Sequence, residues 1–282
     1  MWPQPRPGAP LLMGVVNVTP DSFSDGGRSG AAALAHAMGL LEAGADVLDI
    51  GGESTRPGAL PVGAEEEWAR VEPVLCGVLE AHPGAWVAID SMKPEVAQAA
   101  AAAGARIWND VTALRADGSA ALAARLGLGV VLMHMQGEPA TMQTAPRYAD
   151  VVEEVCAFLA QRRAAAVAGG VAPDRIWLDP GIGFGKTLEH NLRLLRAAGL
   201  LWARLQAPLC IGVSRKSFIA RLEQRAGRRE PPPRDREPGS LAAGLFAAQA
   251  APVVLRVHDV AGAVQAREVW RALQCSEDGP DA

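Results

Sequence analysis

Only three of the 27 basic residues in this 282-residue chain are lysines, Lys93, Lys186 and Lys216, and aromatic residues make up just 5% of it. With a net charge of −4 and a pI near 5.8, the chain lacks the basic excess that marks a nucleic-acid partner, so none is expected. The four cysteines, Cys76, Cys156, Cys210 and Cys275, are far apart and form no CxxC pair. That excludes a disulfide framework or a cysteine-based metal knuckle; the first three sit in apolar patterns and are expected to be buried free thiols of a reducing compartment. No apolar run reaches the length of a membrane span, and Met1 to Pro10 is Pro-rich without the apolar core of a secretory signal, so a cytoplasmic location is expected. There is no HExxH, no GxSxG, no Walker or dinucleotide glycine loop, and no metal-spaced Cys/His cluster.

Ala, Gly and Leu are abundant instead, as close helix–strand packing requires. Short apolar runs alternate with helical patterns through the chain. The strands are expected at Leu11 to Val18, Val47 to Gly51, Trp86 to Asp90, Ile107 to Val111, Val130 to His134, Ile176 to Asp179, Leu209 to Ser214 and Val253 to His258. Between and after them, helices are expected at 31–44, 65–82, 94–104, 118–127, 150–169, 187–202, 217–225, 239–251 and 261–273. Each strand is a continuous apolar run, the pattern of parallel strands covered on both faces. Eight βα units in one chain of this length predict a single-domain α/β fold, the (β/α)8 TIM barrel, with a doubly wound open sheet as runner-up. The domain is expected to span 11–274, between a flexible Pro-rich tail, 1–10, and a frayed acidic tail, 275–282. The charged, Pro-rich run 225–239 is expected to be an exposed, mobile loop inserted in it.

In such barrels the reacting groups lie at the carboxyl ends of the strands. Those positions hold Asn17, Glu53 to Arg56, Asp90, Asn109, His134, Asp179, Ser214 to Ser217, and Arg256 to Asp259. The stretch Ile176 to Lys186 anchors the set, because Pro180 and three glycines force a sharp turn directly after Asp179. Asp90, Asn109, Asp179 and Lys216 would suit a flat aminopyrimidinone ring, since a carboxylate accepts paired N–H bonds and an amide both donates and accepts. Asn17, Arg56, Arg256 and His258 would suit an anion, with Asn17 offering an oxygen to Mg2+. Plainer roles stand beside these. Asp179 and Asp90 could each cap a turn or helix, Asn109-Asp110 could be a turn bonding its own backbone, and Arg56 or Arg256 a surface ion pair. His134 reads better as a histidine supporting other residues than as a catalyst.

Eight motifs, in order, resemble dihydropteroate synthase: Asn17 to Gly27, Asp49 to Gly58, Ile89 to Glu95, Trp108 to Val111, Met133 to Gly137, Asp179 to Lys186, Gly212 to Phe218 and Arg256 to Val260. The likeness runs over nearly the whole chain. It implies a transferase of folate biosynthesis that condenses 6-hydroxymethyl-7,8-dihydropterin diphosphate with p-aminobenzoate, giving 7,8-dihydropteroate and diphosphate by Mg2+-assisted dissociative substitution. It implies a pterin pocket of Asp90, Asn109, Val111, Asp179, Lys216 and Arg256. Asn17, Arg56, Arg256 and His258 match the diphosphate site, and Asn17 the Mg2+ position. Phe23, Thr55, Arg56, Pro57, Phe184 and Ser217 match the p-aminobenzoate site. The catalytic set it implies is Asn17, Asp90, Asp179, Lys216, Arg256 and His258. The family also implies a homodimer and, because the Phe23 loop carries no insertion, sensitivity to sulfonamides. Departures are small: Ser91 stands where Thr is commoner and Ile50 where Val is. A pterin-dependent methyltransferase would share the barrel and ring pocket but needs no anion clamp. A Schiff-base aldolase would need a lysine within a strand, and the other alternative is a non-catalytic paralog.

Overall fold

A computed structural model describes residues 3–6, 8–19, 29–54, 60–137 and 141–274. Eight parallel strands close into a barrel in sequence order: β1 (Leu11–Asn17), β2 (Val47–Gly51), β3 (Val87–Asp90), β4 (Ile107–Asp110), β5 (Gly129–Met133), β6 (Ile176–Asp179), β7 (Leu209–Ile211) and β8 (Val253–Val257). β8 returns to β1 through Leu11↔Val254 and Met13↔Arg256. Around the barrel lie α1 (Ser29–Glu42), α2 (Ala64–Ala81), α3 (Pro94–Ala102), α4 (Ser119–Arg125), α5 (Val151–Ala168), α6 (Leu188–Arg196), α7 (Ala198–Leu205), α8 (Ser217–Arg225), α9 (Glu237–Ala250) and α10 (Val260–Gln274). No helix among the described residues is long and apolar enough to cross a membrane.

The strand period of two divides the core. One buried residue from each strand fills the barrel's interior: Met13, Val47, Ala88, Ile107, Val131, Trp177, Cys210 and Val254. The strand residues of opposite parity face outward and pack against the helices in a larger, continuous apolar layer. Local signals set the helix starts: Asp150 caps α5 by accepting from Val152 N and Glu153 N, Thr187 and His190 form a capping box on α6, and Pro94 opens α3. At the barrel's amino-terminal end, Asp46 Oδ2 accepts from Leu12 N at 2.8 Å and from Arg267 Nη1 at 2.8 Å, tying the first strand to the last helix.

Four expectations need correction or refinement. The helix expected over 187–202 is two, broken at Ala197, which leaves helical geometry (φ −89°, ψ 8°) within an Ala-Ala-Gly run. Gly199 there lies so close to α9 that a β-carbon would stand 3.1 Å from Ala250 O, so the bend lets α7 pack against its neighbour. β7 ends at Ile211 instead of Ser214, because the chain turns at once, with Lys216 N donating to Val213 O and Arg215 in left-handed conformation (φ 62°). Cys76 is exposed on α2, while Cys156 and Cys210 are buried free thiols; Cys275 lies outside the described residues. The charged run 225–239 is exposed over most of its length, but it closes in a short turn, Pro233–Arg236, and its end forms the start of α9.

Candidate active site

Two residues beyond the interior plug, each strand turns its next inward position toward the carboxyl-terminal mouth. Those positions are Val15, Asp49, Asp90, Asn109, Met133, Asp179, Gly212 and Arg256. The period that buries the plug therefore sets three carboxylates, an amide and a guanidinium on one floor. Asp90 and Asn109 are directly paired in strand register.

Arg256 ties this floor together: Nε donates to Asp49 Oδ2 at 2.6 Å and Nη2 to Asp90 Oδ2 at 2.7 Å. Asn109 Nδ2 also donates to Asp49 Oδ2, at 3.1 Å. Burial would lower the Arg256 pKa, but the charges of Asp49 and Asp90 outweigh it and raise it further, so this cation stays charged. Asp90 is pushed up to about 7, by burial first and then by the Asp49 charge, with Arg256 only partly offsetting them. Asp179 is raised too, by burial, against bonding from Gly181 N and the charges of Lys216, Lys186 and Arg256.

The plainer roles weighed for these residues separate cleanly. Asp90 does not cap α3; the capping position is Lys93, whose N–H goes to Ser91 Oγ. Asn109 and Asp110 divide the work, Asn109 joining the floor while buried Asp110 accepts from Thr112 N, Thr112 Oγ1 and Leu114 N to hold the left-handed pair Ala113 and Leu114. Asp179 serves its turn with one oxygen, Oδ1, which accepts from Gly181 N at 2.6 Å. Gly181 must be glycine: it sits at φ +68°, and a β-carbon would stand 1.8 Å from His134 O.

The loop after Asp179 carries the opposite wall. Lys216 Nζ lies 4.1 Å from the centre of the Phe184 ring, a cation–π contact that brings a pterin-pocket candidate against a p-aminobenzoate candidate. Val111 joins Met133, Met135 and Met142 in a small apolar cluster packed against Met92 and Phe184, giving a ring face something to rest on. Ser217 is exposed at the first position of α8. His258 follows β8, with its Nδ1 2.9 Å from Ser214 Oγ. Asn17 ends β1, paired in register with Gly51. Phe23, Thr55, Arg56 and Pro57 lie outside the described residues.

The three lysines do three different jobs. Lys216 faces the mouth. Lys186 is buried, its Nζ donating to Phe184 O at 2.9 Å and to His134 Nδ1 at 3.0 Å. Burial lowers Lys186 to about 7 and His134 to about 3, so His134 is a neutral acceptor that supports this loop. Lys93 bridges Glu53 and the buried Glu67, and Arg70 Nη1 donates to Gly52 O at 2.8 Å. Together they pin residues 52–53, which lead into the second mouth loop.

Reading strand tips in the sequence missed Asp49 and the methionine wall. Asp49 opens one of the eight motifs but is the centre residue of its strand, and counting two residues on from the interior plug is what places it on the floor. Two hollows of about 470 and 300 Å3 lie at the other end of the barrel, one beside Leu41, Glu42 and His82 and one beside Trp86, Arg106 and Arg175, and neither gathers a comparable polar set.

A family model described as "Pterin binding enzyme" matches residues 13–258. Dihydropteroate synthase of Neisseria meningitidis serogroup B is 50% identical over 271 residues, covering 94% of this chain and 93% of its own. The chain belongs to the dihydropteroate synthase family. It is accordingly a transferase of folate biosynthesis. The solved structure of Xanthomonas albilineans dihydropteroate synthase with 4-aminobenzoic acid superposes with a TM-score of 0.87 at 48% identity, covering 95% of this chain and 94% of that one. The same enzyme in complex with 7,8-dihydropteroate gives a TM-score of 0.84 at 45% identity, with the same coverage.

Proposed function

We propose that the mouth of this dihydropteroate synthase holds the pterin ring on Asp90, Asn109, Asp179 and Lys216 while Arg256 and His258 draw off its diphosphate. The observation that carries this reading is the inward floor on which Asp90, Asn109, Asp179 and Arg256 converge, with Lys216 and Phe184 stacked beside it.

The chemistry is a dissociative substitution. The bond from the pterin methylene to the diphosphate oxygen breaks, and its electron pair leaves with the diphosphate. Arg256 and His258 stabilise the charge that gathers there. The cation left behind spreads into the ring, where the carboxylates Asp90 and Asp179 stabilise it. The neutral arylamine then gives its lone pair to the methylene and loses a proton once the C–N bond has formed. No strong base is needed at attack, so positioning and electrostatics supply the catalysis.

Phe184 and Ser217, with Phe23, Thr55, Arg56 and Pro57 of the two mouth loops, form the p-aminobenzoate side in this reading; Arg56 also serves the diphosphate, and Val111 the ring face. Mg2+ is the implied cofactor. Among the described residues no three His, Cys, Asp or Glu side chains gather into a metal site. Asn17, which ends β1, would offer Mg2+ one oxygen, with water and the substrate phosphates supplying the others, as Mg2+ prefers. When bound, it neutralises charge on the leaving group.

The same reading makes the protein a cytoplasmic homodimer. A second copy has a natural seat on one wall of the barrel, where Leu200 and Trp202 of α7, Phe246 of α9, and Val269 and Leu273 of α10 are exposed on neighbouring helices. The test is product formation from the pterin diphosphate, p-aminobenzoate and Mg2+. We expect dihydropteroate and diphosphate in equal amounts, with a sulfonamide competing against p-aminobenzoate. Diphosphate release without dihydropteroate would overturn the reading, and an uninhibited rate in saturating sulfonamide would overturn the expected sensitivity.

A further inference from the structure

We infer that Asp49 is a positioning residue that sets ring specificity by fixing which end of the Asn109 amide the ligand meets. The inference rests on the pterin reading of the mouth and adds to it a residue that touches no substrate in that reading.

Asp49 lies at the centre of β2 and is fully buried. Its Oδ2 takes two donors, Arg256 Nε at 2.6 Å and Asn109 Nδ2 at 3.1 Å, from strands on either side of it in the barrel. An oxygen that faces a guanidinium N–H is an acceptor, so the atom of Asn109 that meets the same Oδ2 must be the NH2 group. The reversed amide would set two oxygens against each other in a buried site, with nothing to screen them. Asn109 is itself buried, and its carbonyl oxygen is then the acceptor that remains for a ligand.

The same carboxylate holds Arg256 by Nε, so its planar fork reaches Asp90 through Nη2. Asp49 thus orients two neighbours of the ring at once. Its other oxygen, Oδ1, is buried with no hydrogen-bond partner among the described residues. A half-paired buried carboxylate destabilises a fold, and an apolar residue on β2 would avoid that cost. Its presence is explained by the two side chains it orients.

The chemical consequence concerns the ring edge. With the Asn109 carbonyl fixed as acceptor, the ring must bring a donor to it, as an exocyclic amino group does. A site built to accept such a bond rejects a ring lacking the donor. Releasing the amide lets it turn and accommodate either pattern.

Calorimetric binding of 6-hydroxymethyl-7,8-dihydropterin and of its 2-deamino analogue, to the wild-type chain and to the isosteric variant Asp49→Asn, tests this. The wild type is expected to prefer the amino ring by up to roughly a hundredfold, the effect of leaving one buried acceptor unpaired. In Asp49→Asn that preference should fall to about tenfold or less, even where affinity for both rings drops, a change in ratio that general loosening would not produce. If Asp49→Asn does not fold, the wild-type protein still decides: one side-chain amide proton of Asn109, assigned by its loss in Asn109→Ser, should be protected from solvent exchange. A folded variant with the wild-type preference, or an unprotected amide, overturns the inference. A wild type that binds neither ring overturns the pterin reading instead.

Discussion

Asp90 carries conflicting demands, because the site must bury a carboxylate that a ring edge needs in its ionised form. Burial and the neighbouring Asp49 push it up to about 7. A raised carboxylate favours the neutral form in the fold, so its contribution to stability is full below its ordinary value near 4 and is lost as pH rises through about 7. Ligand binding runs the other way, because the paired N–H donors of a pterin need the charged acceptor. Affinity for the pterin should therefore climb from about pH 5 to about pH 8 and then level off, with Asp179, raised in the same direction, adding to the climb. Calorimetry across that range checks it: Asp90→Asn should flatten much of the rise, and an unchanged slope would exclude Asp90 as the titrating group.

At the scale of elements, the strands were legible because each is a continuous apolar run, and all eight fall within two residues of their expected starts and three of their ends. The break at Ala197 was not, since it depends on how closely Gly199 approaches α9, a contact no local pattern records. Among the site residues, Asp90 and Asp179 could be read because they end strands, and Asn109 because it stands one residue short of an end. Asp49 could not, because its role depends on Arg256, which is 207 residues away in sequence. The loop after β2 depends on a similar long-range pairing, Lys93 with Glu53 and Glu67. Burial raises Glu67, while its bond to Lys93 pulls it back. Lys93→Met should leave Glu67 buried and unpaired and lower unfolding free energy by about 3 kcal/mol. Denaturant titration would show it, and a loss below about 1 kcal/mol would mean the bridge is already wet.

At the scale of the molecule, barrel closure turns residues from eight separate strands into one floor, and sequence order alone says only that they share an end. Closure also leaves the outer wall formed by α7, α9 and α10 with five large apolar side chains in solvent. If a second copy covers that wall, sedimentation of Phe246→Glu together with Val269→Glu should show monomers where the wild type sediments as a dimer. A double variant that remains dimeric would place the interface elsewhere. The central claim is that the floor's carboxylates hold the ring through the reaction, and the rate of dihydropteroate formation by Asp179→Ala tests it most directly. The account predicts a fall of roughly a hundredfold or more in a folded variant; a folded variant working at the wild-type rate would contradict it.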